Sequence, residues 1–418
     1  MRKLTVKNFS VIKDAELEFG KITVLIGPQS SGKSLLCKLA YFFGREVIKV
    51  AVDMAVHRLP IDEFKSAVQK EFSEWFPRGG WGGENWSVSF AEEEYEVQIS
   101  CPVEGAPTAD VAFSVGKTFE RAYEKRLQET SESLNERGFL LAPALQSRAA
   151  TEFFKIAGRG VWDSSTYIPT QRAYFVDIKK GYRTLAAEAD PISAQFADVF
   201  ANGLRPSSSG SRVSRFLGGN IMSWQNEWML AFQDGRFLAL SDLSSGSKET
   251  LPILTTLDYY ESQRGQSGHL PSAELYEEKL YSFDDFTIEE PESSVFPQTQ
   301  YELVQEFSAL ANKADFVPHF TITTHSPYIL TSFNTMIYAG QLASQKPELK
   351  SEIAALVPEH FWVEDGSFRA FCIHDGVLRS ILSESGLIDG EYLDSVSDMI
   401  EHEFDSLLRL EYDHTEAS

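Results

Sequence analysis

The sequence is short of cysteine, of positive charge and of long apolar runs. Its three cysteines, Cys37, Cys101 and Cys372, lie far apart with no CxxC spacing. That spacing excludes a disulfide framework or a zinc ribbon and fits free thiols in a reducing cytoplasm. Acidic side chains outnumber basic ones, 61 to 38, giving a net charge of -23 over 418 residues. So acidic a surface repels phosphate backbones at long range, which argues against general nucleic-acid binding and leaves DNA only a local basic groove. No apolar run approaches the roughly 20 residues needed to cross a bilayer. The basic N-terminal residues are followed by no apolar stretch or small-residue cleavage site, so no signal peptide is expected. No internal repeat is present. With 43% apolar residues the chain is globular, and its length suits two or three lobes.

Leu4, Val6 and Phe9, then Ala15, Leu17 and Phe19, alternate with polar residues and read as strands. Lys21 to Ile26 is a short apolar run ending at a glycine, as in a buried central strand that feeds a loop. From Ser34 the apolar spacing is helical, with a stop expected at Gly44. Residues from about 45 to 160 read as an insertion of antiparallel strands and helices. Within it Trp86, Val88 and Phe90 alternate, as do Tyr95, Val97 and Ile99, around an acidic hairpin tip, and Lys117 to Asn135 is helical. A strand returns near Tyr167, and a helical lobe is expected over about 185–250. Arg205 to Asn220 reads as a glycine-rich polar linker whose three arginines could meet phosphate. Asp365-Gly366 and Asp375-Gly376 predict a three-strand meander with tight turns, and His374 beside Asp375 is better explained by the turn than as a catalytic pair. Tyr392 to Leu410 reads as an acidic helix with Leu393, Val396, Ile400, Phe404 and Leu407 on one face. The expected division is 1–345 for the nucleotide-binding part and 346–418 for a small α+β extension.

Gly27-Pro28-Gln29-Ser30-Ser31-Gly32-Lys33-Ser34 matches GxxxxGK[ST] between the predicted strand and helix. Glycines let backbone N–H groups turn toward phosphates, and the helix that follows aims its positive end at the anion. Gly27, Ser30, Ser31 and Gly32 form the cradle, Lys33 reaches the β- and γ-phosphates of ATP, and Ser34 ligates Mg²⁺. Hydrolysis also needs carboxylates. Phe286 to Ile288 is a short apolar strand with Glu289 and Glu290 at its C-terminal end, where ligands bind in open α/β sheets. Glu289 is expected to serve the metal and Glu290 to activate water.

Phe320 to Thr324 is another buried strand ending at His325, a place from which an imidazole can reach a γ-phosphate. Ser244, Ser245 and Gly246 precede a helix and make a second small-residue helix start. One P-loop holds one nucleotide, so this second surface is expected to close over ATP bound by another copy. Asn312-Lys313-Ala314-Asp315 fits the guanine-reading NKxD pattern, but its segment has helical spacing and precedes a strand, so guanine specificity is not expected.

In this order the pieces resemble the ABC-type ATPases of the SMC, RecF and OLD group, over most of the chain up to about Ile337. Lys7-Asn8-Phe9 is similar to that group's N-terminal strand, Gly27 to Ser34 to its Walker A and Leu243 to Ser247 to its signature motif. Glu289 to Glu292 resembles its Walker B, Ser293 to Pro297 its D-loop, His325 its switch histidine and Gln171 its Q-loop residue. Ser247 stands where that signature usually has Gln or Glu. The resemblance implies an α/β P-loop NTPase with an ABC-type head: a mixed central sheet, an antiparallel β subdomain and a helical insertion. It also implies an ATP- and Mg²⁺-dependent ATPase that dimerises or forms a higher homo-oligomer.

The "IEEPES" and "THSPYIL" phrasing is similar to the ATPase halves of OLD-type nucleases and the ATPase subunits of Septu and PARIS anti-phage systems. That implies a sensor or gate acting on a separate effector. Asp394 and Asp398 lack the Asp-x-Asp spacing of a TOPRIM nuclease, no HNH-like histidine cluster is present, and the insertion is too short for SMC coils. The competing expectation is a RecF-like DNA-repair ATPase. A transporter subunit fits neither the N-terminal strand nor the insertions.

Overall fold

The computed structural model describes residues 2–83, 85–101, 111–133, 152, 153, 155–157, 162, 163, 165–177, 190–208, 210–225, 227–266, 282–313 and 318–390. The helix expected over Tyr392 to Leu410 lies outside them.

The described residues form fifteen strands: β1 (Arg2–Phe9), β2 (Ile12–Glu18), β3 (Ile22–Ile26), β4 (Ser87–Glu92), β5 (Tyr95–Ser100), β6 (Ala112–Val115), β7 (Trp162–Asp163), β8 (Thr166–Ile168), β9 (Gly219–Trp224), β10 (Glu227–Phe232), β11 (Phe237–Ala239), β12 (Ser282–Glu289), β13 (Pro318–Thr324), β14 (Phe368–His374) and β15 (Val377–Ser380). Twelve of them form one mixed sheet in the order β6-β5-β4-β1-β2-β15-β14-β3-β13-β12-β7, with β8 also paired to β12. β14, β3, β13 and β12 are mutually parallel, whereas β1, β2, β4, β5 and β6 pair antiparallel. This is the α/β architecture, with a mixed central sheet and an antiparallel subdomain, that the resemblance implied.

The two faces of the sheet are separated by strand periodicity. Ile22 and Val24 of β3, Phe286 and Ile288 of β12, and Phe320 and Ile322 of β13 pack against the helices Pro191–Gly203, Ser245–Gln266, Pro297–Ala311 and Pro327–Gln345. Leu25 of β3 faces the other core, where the P-loop helix Lys33–Tyr41 and the helices Val47–Val56 and Ile61–Trp75 meet the antiparallel strands. Phe9, Phe42, Phe72, Phe76 and Trp86 join there, with the Phe72 and Phe76 ring centroids 4.8 Å apart and those of Phe9 and Trp86 4.9 Å apart. Such pairs add about 0.5–1.5 kcal/mol each beyond area burial, and here they fix the β1–β2 turn beside the P-loop.

Several expectations change. The helix after the P-loop does not stop at Gly44. It passes through a π-helical turn, Phe42–Glu46, into Val47–Val56, and the buried Tyr95 hydroxyl donates to the Phe43 carbonyl there at 2.8 Å. The segment expected as a C-terminal extension supplies β14 and β15, which lie between β2 and β3, so a boundary at 345 runs through one sheet. Among the described residues the meander is a hairpin, with Asp375 (φ 52°) and Gly376 (φ 79°) at its turn. His374 and Asp375 are exposed on that turn, their side chains 3.3 Å apart.

The lobe expected to be helical over 185–250 also holds the three-stranded sheet β11-β10-β9. Within the expected linker, Ser211 caps a helix Arg212–Leu217, and the buried Arg212 binds Asp258, Glu261 and Glu306 at 2.6–3.0 Å. Three carboxylates outcompete phosphate for this arginine. Asn312 is structural as well, donating to the His360 and Trp362 carbonyls. No helix among the described residues is long and apolar enough to cross a membrane.

Candidate active site

Three parallel strands deliver the site. β3 ends at Ile26 and leads to Gly27, β12 ends at Glu289 and leads to Glu290, and β13 ends at Thr324 and leads to His325. The β13 register, Thr323 opposite both Leu25 and Glu289, sets these ends side by side. Ligands of open α/β sheets bind at that edge.

The P-loop wraps a cleft of 420 Å³ whose walls are Gln29 to Leu35 and Lys38, the turn Phe9–Val11, a ledge of Trp75, Phe76, Pro77, Gly80 and Trp81, and Glu290 with His325. Its size lies in the range of small-ligand sites, ~300–1,000 Å³. Gly27 needs its missing side chain, since a Cβ there would meet the Ile373 carbonyl of β14 at 2.3 Å. Gly32, at φ 108°, begins the P-loop helix with no side-chain cap. The first N–H groups of that helix therefore lack intrahelical acceptors and face the cleft as an anion site. The Lys33 ammonium donates to the Gly27 and Pro28 carbonyls at 2.7 and 2.9 Å. Burial pulls its pKa down, while Glu290 and Glu292 oppose that shift. Ser31 Oγ is buried without a hydrogen-bond partner. An uncapped helix end, a buried cation and an orphaned hydroxyl around one cleft fit a triphosphate.

For Mg²⁺, no group of three or more His, Cys, Asp or Glu among the described residues is arranged as a metal cage. Mg²⁺ is commonly held by one or two protein oxygens plus phosphates and water, and half-buried Ser34 stands at the cleft for that role. Glu289 is buried and engaged by other side chains. Its Oε1 accepts from the Tyr167 hydroxyl at 2.7 Å, and its Oε2 accepts from the Thr170 N–H and hydroxyl at 3.0 and 2.9 Å. Oε1 keeps capacity for one more donor, such as a metal-bound water. Burial, and then the Glu289 charge, raise the Tyr167 phenol well above its ordinary pKa, so it stays a donor.

Glu290 sits at φ 42°, in the left-handed region that costs a non-glycine residue ~1–3 kcal/mol. Its N–H donates to Thr323 O at 2.9 Å, and its carboxylate Oε1 lies 3.3 Å from His325 Nε2. The structure thus joins the two side chains expected to be catalytic. Glu292 supports them: its Oε1 accepts the His325 backbone N–H at 2.6 Å, while its Oε2 is buried without a hydrogen-bond partner. Desolvation raises the Glu292 pKa, against the lowering effect of that N–H.

A carboxylate whose folded pKa is raised opposes folding when charged, and that cost vanishes as pH falls through the raised pKa. Glu292→Gln, which keeps an acceptor for His325, should therefore melt higher than wild type at pH 8, with the gap closing toward pH 5. Thermal melts at both pH values check this, and a gap that widens on acidification would contradict it.

Ser244, Ser245 and Gly246 do not line the P-loop cleft of their own chain, and neither does exposed Gln171. The helix Ser245–Gln266 begins outside that cleft, with Ser244 Oγ accepting the Ser247 N–H at 3.3 Å. Arg172 was not singled out by its pattern. It is fully buried and binds the Glu289 and Glu290 carbonyls at 2.6 and 2.8 Å. The one available hint was a basic residue just after a strand in an acidic chain, in "IPTQR".

Among curated proteins none matches this sequence. Of solved structures, the SMC head domain from Thermotoga maritima aligns at 13% identity and a TM-score of 0.35, covering 91% of this chain and 98% of that one. An Smc head domain with an extended coiled coil, bound to the C-terminal domain of ScpA and derived from Pyrococcus furiosus, aligns at 12% identity and a TM-score of 0.36, covering 96% and 99%. Likeness at that level places no residue of this chain. Residues 22–331, from β3 through the strand-end histidine, match the family described as "AAA domain, putative AbiEii toxin, Type IV TA system", and the chain belongs to that family of AAA ATPases.

Proposed function

We propose that this chain is a Mg²⁺-dependent ATP hydrolase whose site is completed by a second copy, and that its nucleotide cycle gates a separate effector in anti-phage defence. The observation that carries the hydrolase reading is the opening of the P-loop cleft onto the Glu290–His325 pair. Lys33 and the helix N-terminus would hold the β- and γ-phosphates, and Ser34 would hold the metal, with Glu289 accepting from a water of its shell. Bound Mg²⁺ neutralises charge that develops between the phosphates. Glu290 orients and polarises the attacking water, and His325, 3.3 Å away, donates toward the γ-phosphate. Support for a second copy is the placement of Ser244 to Gly246 outside their own cleft. Near the strand ends Phe296 and Tyr328 are 75% and 55% exposed, as suits a face that becomes covered.

Lys33→Ala tests the site. Removing a buried cation that burial already disfavours leaves the fold intact, while the lost charge-assisted contacts weaken ATP binding by at least about 100-fold. Equilibrium binding with a fluorescent ATP analogue, on protein shown folded by circular dichroism, gives the answer. Wild-type affinity in a folded Lys33→Ala chain would remove the P-loop from the mechanism. Effector gating is tested by co-purification with the products of adjacent genes, with and without ATP. A nuclease or toxin held in only one nucleotide state is the expected outcome.

A further inference from the structure

Arg172 ties together three segments that the hydrolysis reading keeps separate. It follows β8 and exposed Gln171, yet its guanidinium is fully buried. Nε donates to Glu249 O at 2.8 Å, and Nη1 donates to Glu289 O at 2.6 Å and Pro169 O at 3.3 Å. Nη2 donates to Glu290 O at 2.8 Å and lies 3.1 Å from the Glu249 carboxylate. Four of these contacts are hydrogen bonds to main-chain oxygens, and the fifth is an ion-pair contact with Glu249 Oε2, which has no hydrogen-bond partner. Two of those oxygens are the carbonyls that bracket the left-handed residue Glu290. Two more belong to Glu249, one turn into Ser245–Gln266, whose start is Ser245 and Gly246. The first turn of that helix, just before Glu249, touches the loop after Glu290, since a Cβ on Gly246 would meet Ser294 O at 2.8 Å.

We infer that Arg172 is a positioning residue that couples the Ser244–Gly246 helix start to the catalytic carboxylate, holding the Glu290 backbone in its left-handed turn according to where Glu249 sits. A phosphate group docking on Ser244 to Gly246 moves or steadies that first turn. Arg172 passes the displacement to the Glu289–Glu290 carbonyls, and so to the carboxylate 3.3 Å from His325. Lysine cannot replace it, because an ammonium has three donors on a point charge and not a planar fork. The inference rests on the reading of Glu290 as the hydrolytic carboxylate.

The test uses the full chain and separates nucleotide binding from the chemical step. ATP affinity, single-turnover hydrolysis and thermal melts are measured for Arg172→Lys, Arg172→Met and Glu249→Gln. In both Arg172 variants ATP affinity should stay within about threefold of wild type while the single-turnover rate falls at least ~100-fold, the scale for a catalytic group displaced by about 1 Å. Glu249→Gln keeps the main-chain acceptor and loses only the ion pair, so its rate should fall about tenfold with affinity unchanged.

A folded Arg172→Lys or Arg172→Met chain with wild-type turnover overturns the coupling. So does a parallel loss of affinity, rate and melting temperature, which is what a purely structural arginine would give. If neither Arg172 variant folds, Glu249→Gln decides, and unchanged turnover there overturns the inference. A wild-type chain without turnover sinks the proposed hydrolase and this inference together, whereas wild-type turnover with unaffected variants sinks the coupling alone.

Discussion

Glu290→Gln should bind ATP at least as tightly as wild type and hydrolyse it about 1,000-fold more slowly, within the 10²–10⁴ that a positioned general base contributes. The amide has nearly the shape of the carboxylate, and what holds residue 290 in place is main chain. Its N–H binds Thr323 O and its carbonyl binds Arg172, so the left-handed turn survives the change. Only the acceptor 3.3 Å from His325 loses its charge. Removing a negative charge from the cleft wall also relieves repulsion of the triphosphate, so affinity holds or rises. Single-turnover assays with radiolabelled ATP, beside equilibrium binding, measure both quantities.

Glu289→Gln is the informative comparison. Its oxygen can turn toward the Thr170 donors while its amide faces the Tyr167 hydroxyl, which then accepts. The side chain stays housed, and the expected loss is confined to metal-dependent binding. Normal turnover in Glu290→Gln would move the catalytic role elsewhere, with Glu292, bound to the His325 main chain, the next carboxylate to test.

What could be read from sequence was what is local. The P-loop pattern sits in eight consecutive residues, its flanking strand and helix are periodic on their own, and two short apolar strands end at Glu289 and before His325, so the placement of the loop, Glu290 and His325 at strand ends was legible. Arg172 was not, because three of its four acceptors lie 77, 117 and 118 residues away and no spacing rule links them. Tyr167 and Thr170 were hidden likewise, reaching Glu289 across 122 and 119 residues.

Arg212 misled for a different reason. Composition around it is that of a linker, and only the carboxylates of Asp258, Glu261 and Glu306, brought in by two distant helices, turn it into a buried anchor. The order of strands in a sheet is equally non-local. β14 was legible as a strand, but nothing within Phe368–His374 says that it pairs with β3, where its Ile373 carbonyl closes against Gly27. Gly44 looked like a helix stop because helical propensity ranks glycine low. Burial and a π-turn carried the helix through it.

Ser244→Asp should abolish turnover alone and yet restore it in a mixture with Lys33→Ala, which is equally inactive alone. Ser244 is the better probe of the second copy than Gly246. A side chain on Gly246 would collide with Ser294 O of its own chain at 2.8 Å, so Gly246→Asp would fail whether or not a second copy were involved. Ser244 is exposed, and its Oγ accepts the Ser247 N–H, a capping role that aspartate fills as well. The substitution therefore adds one negative charge to an intact helix start. If that start faces the γ-phosphate held by another copy, the added charge repels it and turnover falls by at least ~100-fold.

Mixing then separates the two halves of the site. In a heterodimer, one composite site joins both lesions and the other joins the intact Lys33 cradle of the Ser244→Asp chain to the intact Ser244 of the Lys33→Ala chain. With random pairing, half of the dimers carry one working site of two, so an equimolar mixture should recover about one quarter of wild-type turnover. Turnover of the wild type should also rise faster than linearly with protein concentration while monomers predominate. No recovery in the mixture, with turnover strictly linear in concentration, would mean that each chain hydrolyses ATP by itself and that Ser244 serves its own fold.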